Sequence, residues 1–405
     1  MDHPETHVNE INGSTSGKTD CVFNIFFSIV AVLTLWADII TDALVAKQFF
    51  ENKEWIRFGL ATFFIIFPSI ILQLFSIKWD RRNKQVQTWF SIVMHILQLA
   101  AVKRCFLVIW YGQKAFYKSE RTFIPLYDIN IFYLKMLKLL HAFLESAPQL
   151  ILQLFVLSKI NRAFDFKKDW IIILSAVLSF ISLALSVVAF IHNARQQNSK
   201  RELSICGLLF QLIYRLNMII SRIVAMFLFA SGYTWGLFIV AFVHWLCMVA
   251  WLHYFMRIKD NQVSKILFGY FYIFWYIKAT NTKTKQHLIF YYTVFFVENV
   301  LMVVALYPIR KSIFNLLEIG FIIIVSGTFI IGLLFMLIYY KFIYSDGKNI
   351  SRWIYCNAFS KSETILTRIQ FNTNQEPQVD SEVFLSCNEI ISHNILDPVS
   401  FIDEF

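Results

Sequence analysis

Ten apolar segments follow one another along this chain, and they leave it few folds to choose from. A helix needs about 20 apolar residues to cross the hydrocarbon layer of a bilayer. Backbone at that depth must satisfy its own hydrogen bonds, so only helices or closed barrels span it. The segments are Phe23–Val45, Trp55–Ile77, Trp89–Val102, Lys135–Leu157, Trp170–Ile191, Ile205–Ser231, Trp235–Phe255, Ile266–Ile277, Leu288–Ile309 and Phe321–Ile343. The third and eighth hold only 14 and 12 residues, too short to cross and expected to enter and leave on the same side. With 57% hydrophobic and 16% charged residues, the chain reads as an all-α polytopic membrane protein.

The lengths run long, long, short, long, long, and then repeat. This predicts eight spanning helices plus two half-inserted ones, in two related five-helix halves. The first half covers 22–192 and the second 193–344, between an N-terminal tail, 1–21, and a C-terminal tail, 345–405. A second echo lies within the first half: PSIILQLF from Pro68 and PQLILQLF from Pro148 agree at six of eight positions. A proline inside such a helix removes one backbone bond and tends to kink it.

The fourth segment is the odd one. It carries Lys138, His141, Glu145, Gln149 and Gln153, spaced three then four apart and so on one helical face. Ionisable groups at that depth cost roughly 2.5–3.5 kcal/mol each on insertion scales, and they usually face a bundle interior or a wet cavity. Further charges are sunk elsewhere: Asp38 and Asp42 in the first segment, Arg215 and Arg222 in the sixth, Glu298 in the ninth. Two compatible readings follow. The charges pair to fix helix packing. Alternatively, they form a ladder along which a polar headgroup moves while its acyl chains stay in lipid. His141, four residues from Glu145, is expected to hydrogen-bond rather than bind metal.

Net charge is +10, spread over short loops. Loops 78–88, 103–121, 193–204, 257–265 and 278–287 carry four, five, three, three and three Lys/Arg, whereas 158–169 carries four on the other side. The balance places both termini in the cytosol and argues for anionic lipid contact, with no nucleic acid. Met1–Asp20 lacks the pattern of a cleavable signal. Past Arg368 there is no Lys or Arg, so the tail is acidic, read either as disordered or as a short piece folding back on the basic loops. The six cysteines fall on the cytosolic side or inside helices, away from any extracellular disulfide. Cys105 and Cys356 are candidates for acylation, and the sequons at Asn12 and Asn349 are expected to stay unused. There is no phosphate-cradling Gly-rich loop, metal-ligand spacing or nucleophile elbow, so no enzyme, cofactor or metal site is expected.

An ordered set of motifs resembles the XK-related family of membrane proteins. It comprises the Asp38-x3-Asp42 pair, FPSIILQLFS (67–76), HILQLAAVKRC (95–105), FLESAPQLILQLF (143–155), RIVAMFLFAS (222–231), VHWLCMVAW (243–251), YIFWYIKATNTKTK (272–285), ENVLMVVAL (298–306) and the closing FMLIYYKFIY. The resemblance covers roughly residues 24–344. It implies the same eight-plus-two helix count and ATP-independent phospholipid scrambling in apoptosis. In active members a caspase removes part of a cytosolic tail, and phosphatidylserine is exposed at the plasma membrane. It also implies partners: a single-span immunoglobulin-type chaperone, a bridge-like lipid-transfer protein, or a disulfide-linked metallopeptidase. The polar positions that match are Asp38, Asp42, Lys138, Glu145, Arg215, Arg222 and Glu298. His141 stands where an acid is common, Ala189 marks a place where some members carry one, and KFIYSDGK lacks the usual His-Pro. Caspases cut after Asp before a small residue, which selects Asp380, Asp20 and Asp346. The rival functions are an ion channel or carrier and a non-scrambling scaffold for lipid-transfer or surface partners.

Overall fold

The computed structural model describes residues 5–82, 89–118, 120–158, 166–198, 205–254, 262–277, 284–306 and 316–344, and the regular structure among them is helical throughout. Its helices are α1 (Glu5–Glu51), α2 (Trp55–Arg82), α3 (Trp89–Ile96), α4 (Ala100–Gly112), α5 (Ile124–His141) and α6 (Ala147–Ser158). They continue with α7 (Phe166–Asn198), α8 (Ile205–Gly232), α9 (Gly236–Tyr254), α10 (Gln262–Phe271), α11 (Thr284–Val304) and α12 (Leu316–Ile338). Eight helices among the described residues are long and apolar enough to cross a membrane, with α5 and α6 counted as one. They coincide with the eight long apolar segments, so the protein is multi-pass. α1 is one helix from Glu5, running through the boundary at residue 21. The C-terminal tail, with Asp346 and Asp380, lies outside the described residues.

α5 and α6 form the centre. Between them Ala142–Ser146 is a π-turn, in which the N–H of Ala147 bonds the carbonyl of Ala142. Pro148 supplies the physical reason. It has no N–H for the carbonyl of Leu144, so the helix takes in one extra residue before it resumes. Leu137, Leu139, Leu140, Ala142, Phe143 and Ala147 are all wholly shielded. Phe143 stacks on Trp275 at 5.7 Å, and its carbonyl accepts the hydroxyl of Tyr270 at 3.1 Å. The two halves of the chain are therefore joined at the π-turn.

Among the described residues neither short segment forms a helix counted as long and apolar enough to cross. The third becomes α3 and α4, parted at Gln98, whose φ is 60°. There the N–H of Leu99 reaches the carbonyl of Met94 at 2.8 Å and that of Gln98 reaches His95 at 3.1 Å, a left-handed helix ending usually given to glycine. The eighth becomes α10, which stops at Phe271, followed by the buried stretch Tyr272–Ile277. One expectation fails. Residues 103–121 are not a basic loop, because α4 continues to Gly112 and a π-turn to Tyr117. Lys103 and Arg104 are buried, and the carboxylate of Asp80 holds them there.

Candidate functional site

The polar residues of the central span meet α1, α2 and α7. Asp38 and Asp42 lie one turn apart on α1, and both are fully buried. Opposite them α7 presents Ser175, Ser179 and Ser182, at four- and three-residue spacing and so on one face. Ser179 donates to Asp38 Oδ1 at 2.8 Å, and Ser146 of the π-turn donates to Asp38 Oδ2 at 2.5 Å. Ser175 donates to Asp42 Oδ1, as does Gln153 Nε2 at 2.8 Å.

His141 bridges two acids. Its Nε2 is 3.3 Å from Asp38 Oδ2 and its Nδ1 is 3.0 Å from Glu145 Oε2. The second approach is at ion-pair distance, and among the described residues neither Glu145 oxygen has a hydrogen-bond partner. Lys138 donates to Ser182 at 2.8 Å. Gln149 turns to α2, donating to the carbonyl of Ala61 at 2.9 Å. Gln149 and Gln153 both follow the π-turn, one turn apart on α6, and the first faces α2 while the second faces α1.

Beside Glu145 lies a cavity of about 20 Å³, room for one water. Leu35, Trp36 and Ile39 of α1 line it, as do Ser69, Leu72 and Gln73 of α2. The α3–α4 junction closes it with Gln98, Leu99, Ala101 and Val102, and Gln98 is exposed. The hydroxyl of Ser69 donates to Gln98 Oε1 across its mouth. Its lining thus includes the exposed Gln98 and the buried Glu145, with an apolar α1 side and a mixed α2 side.

Arg222 and Glu298 belong to a second, separate cluster. Arg222 Nη2 meets Glu298 Oε2 at 2.7 Å, Nη1 meets Asn299 at 3.0 Å, and Nε donates to the carbonyl of Ile273 at 2.9 Å. His244 Nδ1 stands 2.7 Å from Glu298 Oε1 and its Nε2 stands 3.1 Å from the carbonyl of Tyr272. The chain after α10 is pinned by these groups. Arg215 joins neither cluster, and its guanidinium lies over Trp275 at 4.8 Å.

The third cluster is one that the sequence reading passed over. Asp80 of α2 accepts from Arg104 at 2.6 Å, from Lys103, and faces His95 at 3.1 Å. Ser91 and Asn130 complete it. Its signal was available: after Lys103 and Arg104 the apolar run resumes as FLVIWYG, so the two cations sit inside a helix and require an acid. Of the three candidate cleavage positions only Asp20 is among the described residues, and it falls within α1.

The family model described as XK-related protein matches residues 26–345. The protein called XK-related protein 8 from Tetraodon nigroviridis is 24% identical over 342 residues, covering 78% of this chain and 81% of that protein.

Proposed function

Because the chain belongs to the XK-related family, we propose that it lets phospholipids pass between leaflets without ATP, exposing phosphatidylserine at the plasma membrane during apoptosis. One observation carries this reading. A buried, incompletely paired carboxylate, Glu145, lines a cavity whose mouth at Gln98 reaches the surface. A headgroup travelling with its acyl chains in lipid needs that combination: a polar wall inside and an apolar rim outside. At about 20 Å³ the cavity takes a water and no headgroup, so on this reading the path is closed here. Opening would part α1 and α2 from the α3–α4 junction, with α3, α4 and α10 half-inserted and both termini in the cytosol. Caspase cleavage after Asp380, Asp346 or Asp20 is the proposed trigger, and an immunoglobulin-type chaperone or a lipid-transfer protein the proposed partner.

The test is a liposome assay with labelled phosphatidylserine and an impermeant reductant. Full-length protein and protein ending at Tyr344 are compared with empty liposomes. Bleaching beyond the outer leaflet's share in either sample supports the proposal, and none in both defeats it. Ion currents in planar bilayers without lipid movement would instead select a channel or carrier. The ion pairs that close the Asp80 and Arg222 clusters favour one second reading, a non-scrambling scaffold. That would show as a lipid-transfer or surface protein co-purifying with a chain inert in liposomes.

A further inference from the structure

Asp42 is bonded in a lopsided way. Both of its donors, Ser175 Oγ and Gln153 Nε2, reach Oδ1, while Oδ2 is buried with no partner among the described residues. The side chain that donates to it has the matching defect, because Gln153 Oε1 is also buried and unpartnered. Two orphan acceptors on one hydrogen-bonded acid–amide pair are satisfied together by a single proton. A carboxylic acid has one donor and one acceptor, and a primary amide has the complementary set. Leaving both acceptors bare would forfeit their hydration with nothing in return.

Charge counting leads to the same place. The groups acting on Asp42 are Asp38 on its own helix, Glu145 in the π-turn, Gln153 of α6 and Ser175 of α7, while Lys138 and His141 of α5 act on Asp38 and Glu145. Each ring nitrogen of His141 lies within ion-pair distance of a carboxylate oxygen, a setting that suits the doubly protonated ring. Lys138 and His141 then balance Asp38 and Glu145. An ionised Asp42 would add one uncompensated charge where charge is expensive.

We infer that Asp42 holds a proton, with Oδ2–H donating to Gln153 Oε1 while Gln153 Nε2–H donates to Oδ1. The pair is a neutral clasp between α1 and α6, and Asp42 is a proton site rather than a charged rung of a lipid path. The clasp holds whether or not the protein moves lipid. Water reaching Asp42 would draw off the proton and break one of the two bonds, so separation of α1 from α6 releases a proton.

Infrared difference spectroscopy of the full chain in lipid nanodiscs at neutral pH tests this. The wild type should show the C=O stretch of a protonated carboxyl, sensitive to deuterium oxide, that is lost in Asp42→Asn and kept in Glu145→Gln. Asp42→Asn should keep the wild-type melting temperature, since an amide reproduces both bonds, and Asp42→Leu should lower it. If the variants do not fold, isotopically labelled aspartate must shift the wild-type band and labelled glutamate must not. No such band, a band that aspartate labelling leaves in place, or Asp42→Asn as unstable as Asp42→Leu would each overturn the inference. So would stabilisation of the wild type, but not of Asp42→Asn, by sodium or potassium ions, which would mean that a cation fills the site.

Discussion

Arg222 sends three donor groups to three acceptors on two elements: Ile273, Asn299 and Glu298. A guanidinium has the fixed fork for this, and an ammonium does not. Arg222→Lys should therefore keep the ion pair and lose the other two bonds, lowering stability by about 1–3 kcal/mol. Arg222→Met strands Glu298 against His244 alone and should cost more, about 3–5 kcal/mol. Thermal unfolding in detergent measures both, and a Lys variant as stable as wild type would mean that only the charge matters. Asp38 shows how much a single position reveals before the fold is known. Its depth in an apolar run announces a buried partner, yet its actual partners, Ser146, Ser179 and His141, lie more than 100 positions away. Three of the α7 serines that receive the two aspartates and Lys138 carry no charge and gave no signal beyond their spacing.

At the scale of helices, α8 and α12 meet where a Cβ on Gly332 would stand 3.2 Å from the carbonyl of Tyr214 and 3.2 Å from Met218 Cγ. A backbone carbonyl cannot swing aside, so Gly332→Ala must push the helices apart. It should destabilise by about 1–3 kcal/mol. Gly327 on the same helix meets nothing within 4 Å, and Gly327→Ala is the control, expected to be neutral. Close approach through small residues is the ordinary means by which membrane helices associate, since lipid offers no hydrophobic drive between them. The α3–α4 pair is held differently, by Asp80. Asp80→Asn leaves Lys103 and Arg104 buried without their anion and should cost about 3–5 kcal/mol. Hydrogen exchange should then rise across Trp89–Ile96 and Ala100–Gly112, and unchanged exchange there would show that apolar contacts alone seat the pair. The long elements were legible because apolar length decides them. The π-turn was not: Pro148 announced a kink, but whether a helix bends or takes in an extra residue depends on what receives the freed carbonyls. Tyr270, from the other half of the chain, receives that of Phe143.

For the molecule as a whole, the order of packing limits where a path can open. The α5–α6 span is enclosed by α1, α2, α4, α7 and α8, so its amides should be among the slowest to exchange. Its weakest point is the π-turn. There the regular bond pattern is interrupted, Glu145 lacks hydrogen bonds, and the cavity comes closest. If lipid headgroups pass along the buried carboxylates, α1 and α2 must part from this turn, and water must enter before any headgroup does. Conditions that switch on lipid movement in liposomes should thus speed amide exchange at residues 143–149 in the same sample. Exchange at Leu237–Val249 of α9, which carries His244 of the second cluster, should stay as it was. The comparison separates two mechanisms with the same liposome readout. Lipid movement with residues 143–149 still protected would put the path outside the bundle, along lipid-facing surface that thins the bilayer. The buried charges would then serve helix packing alone, and Glu145→Gln would leave the rate unchanged.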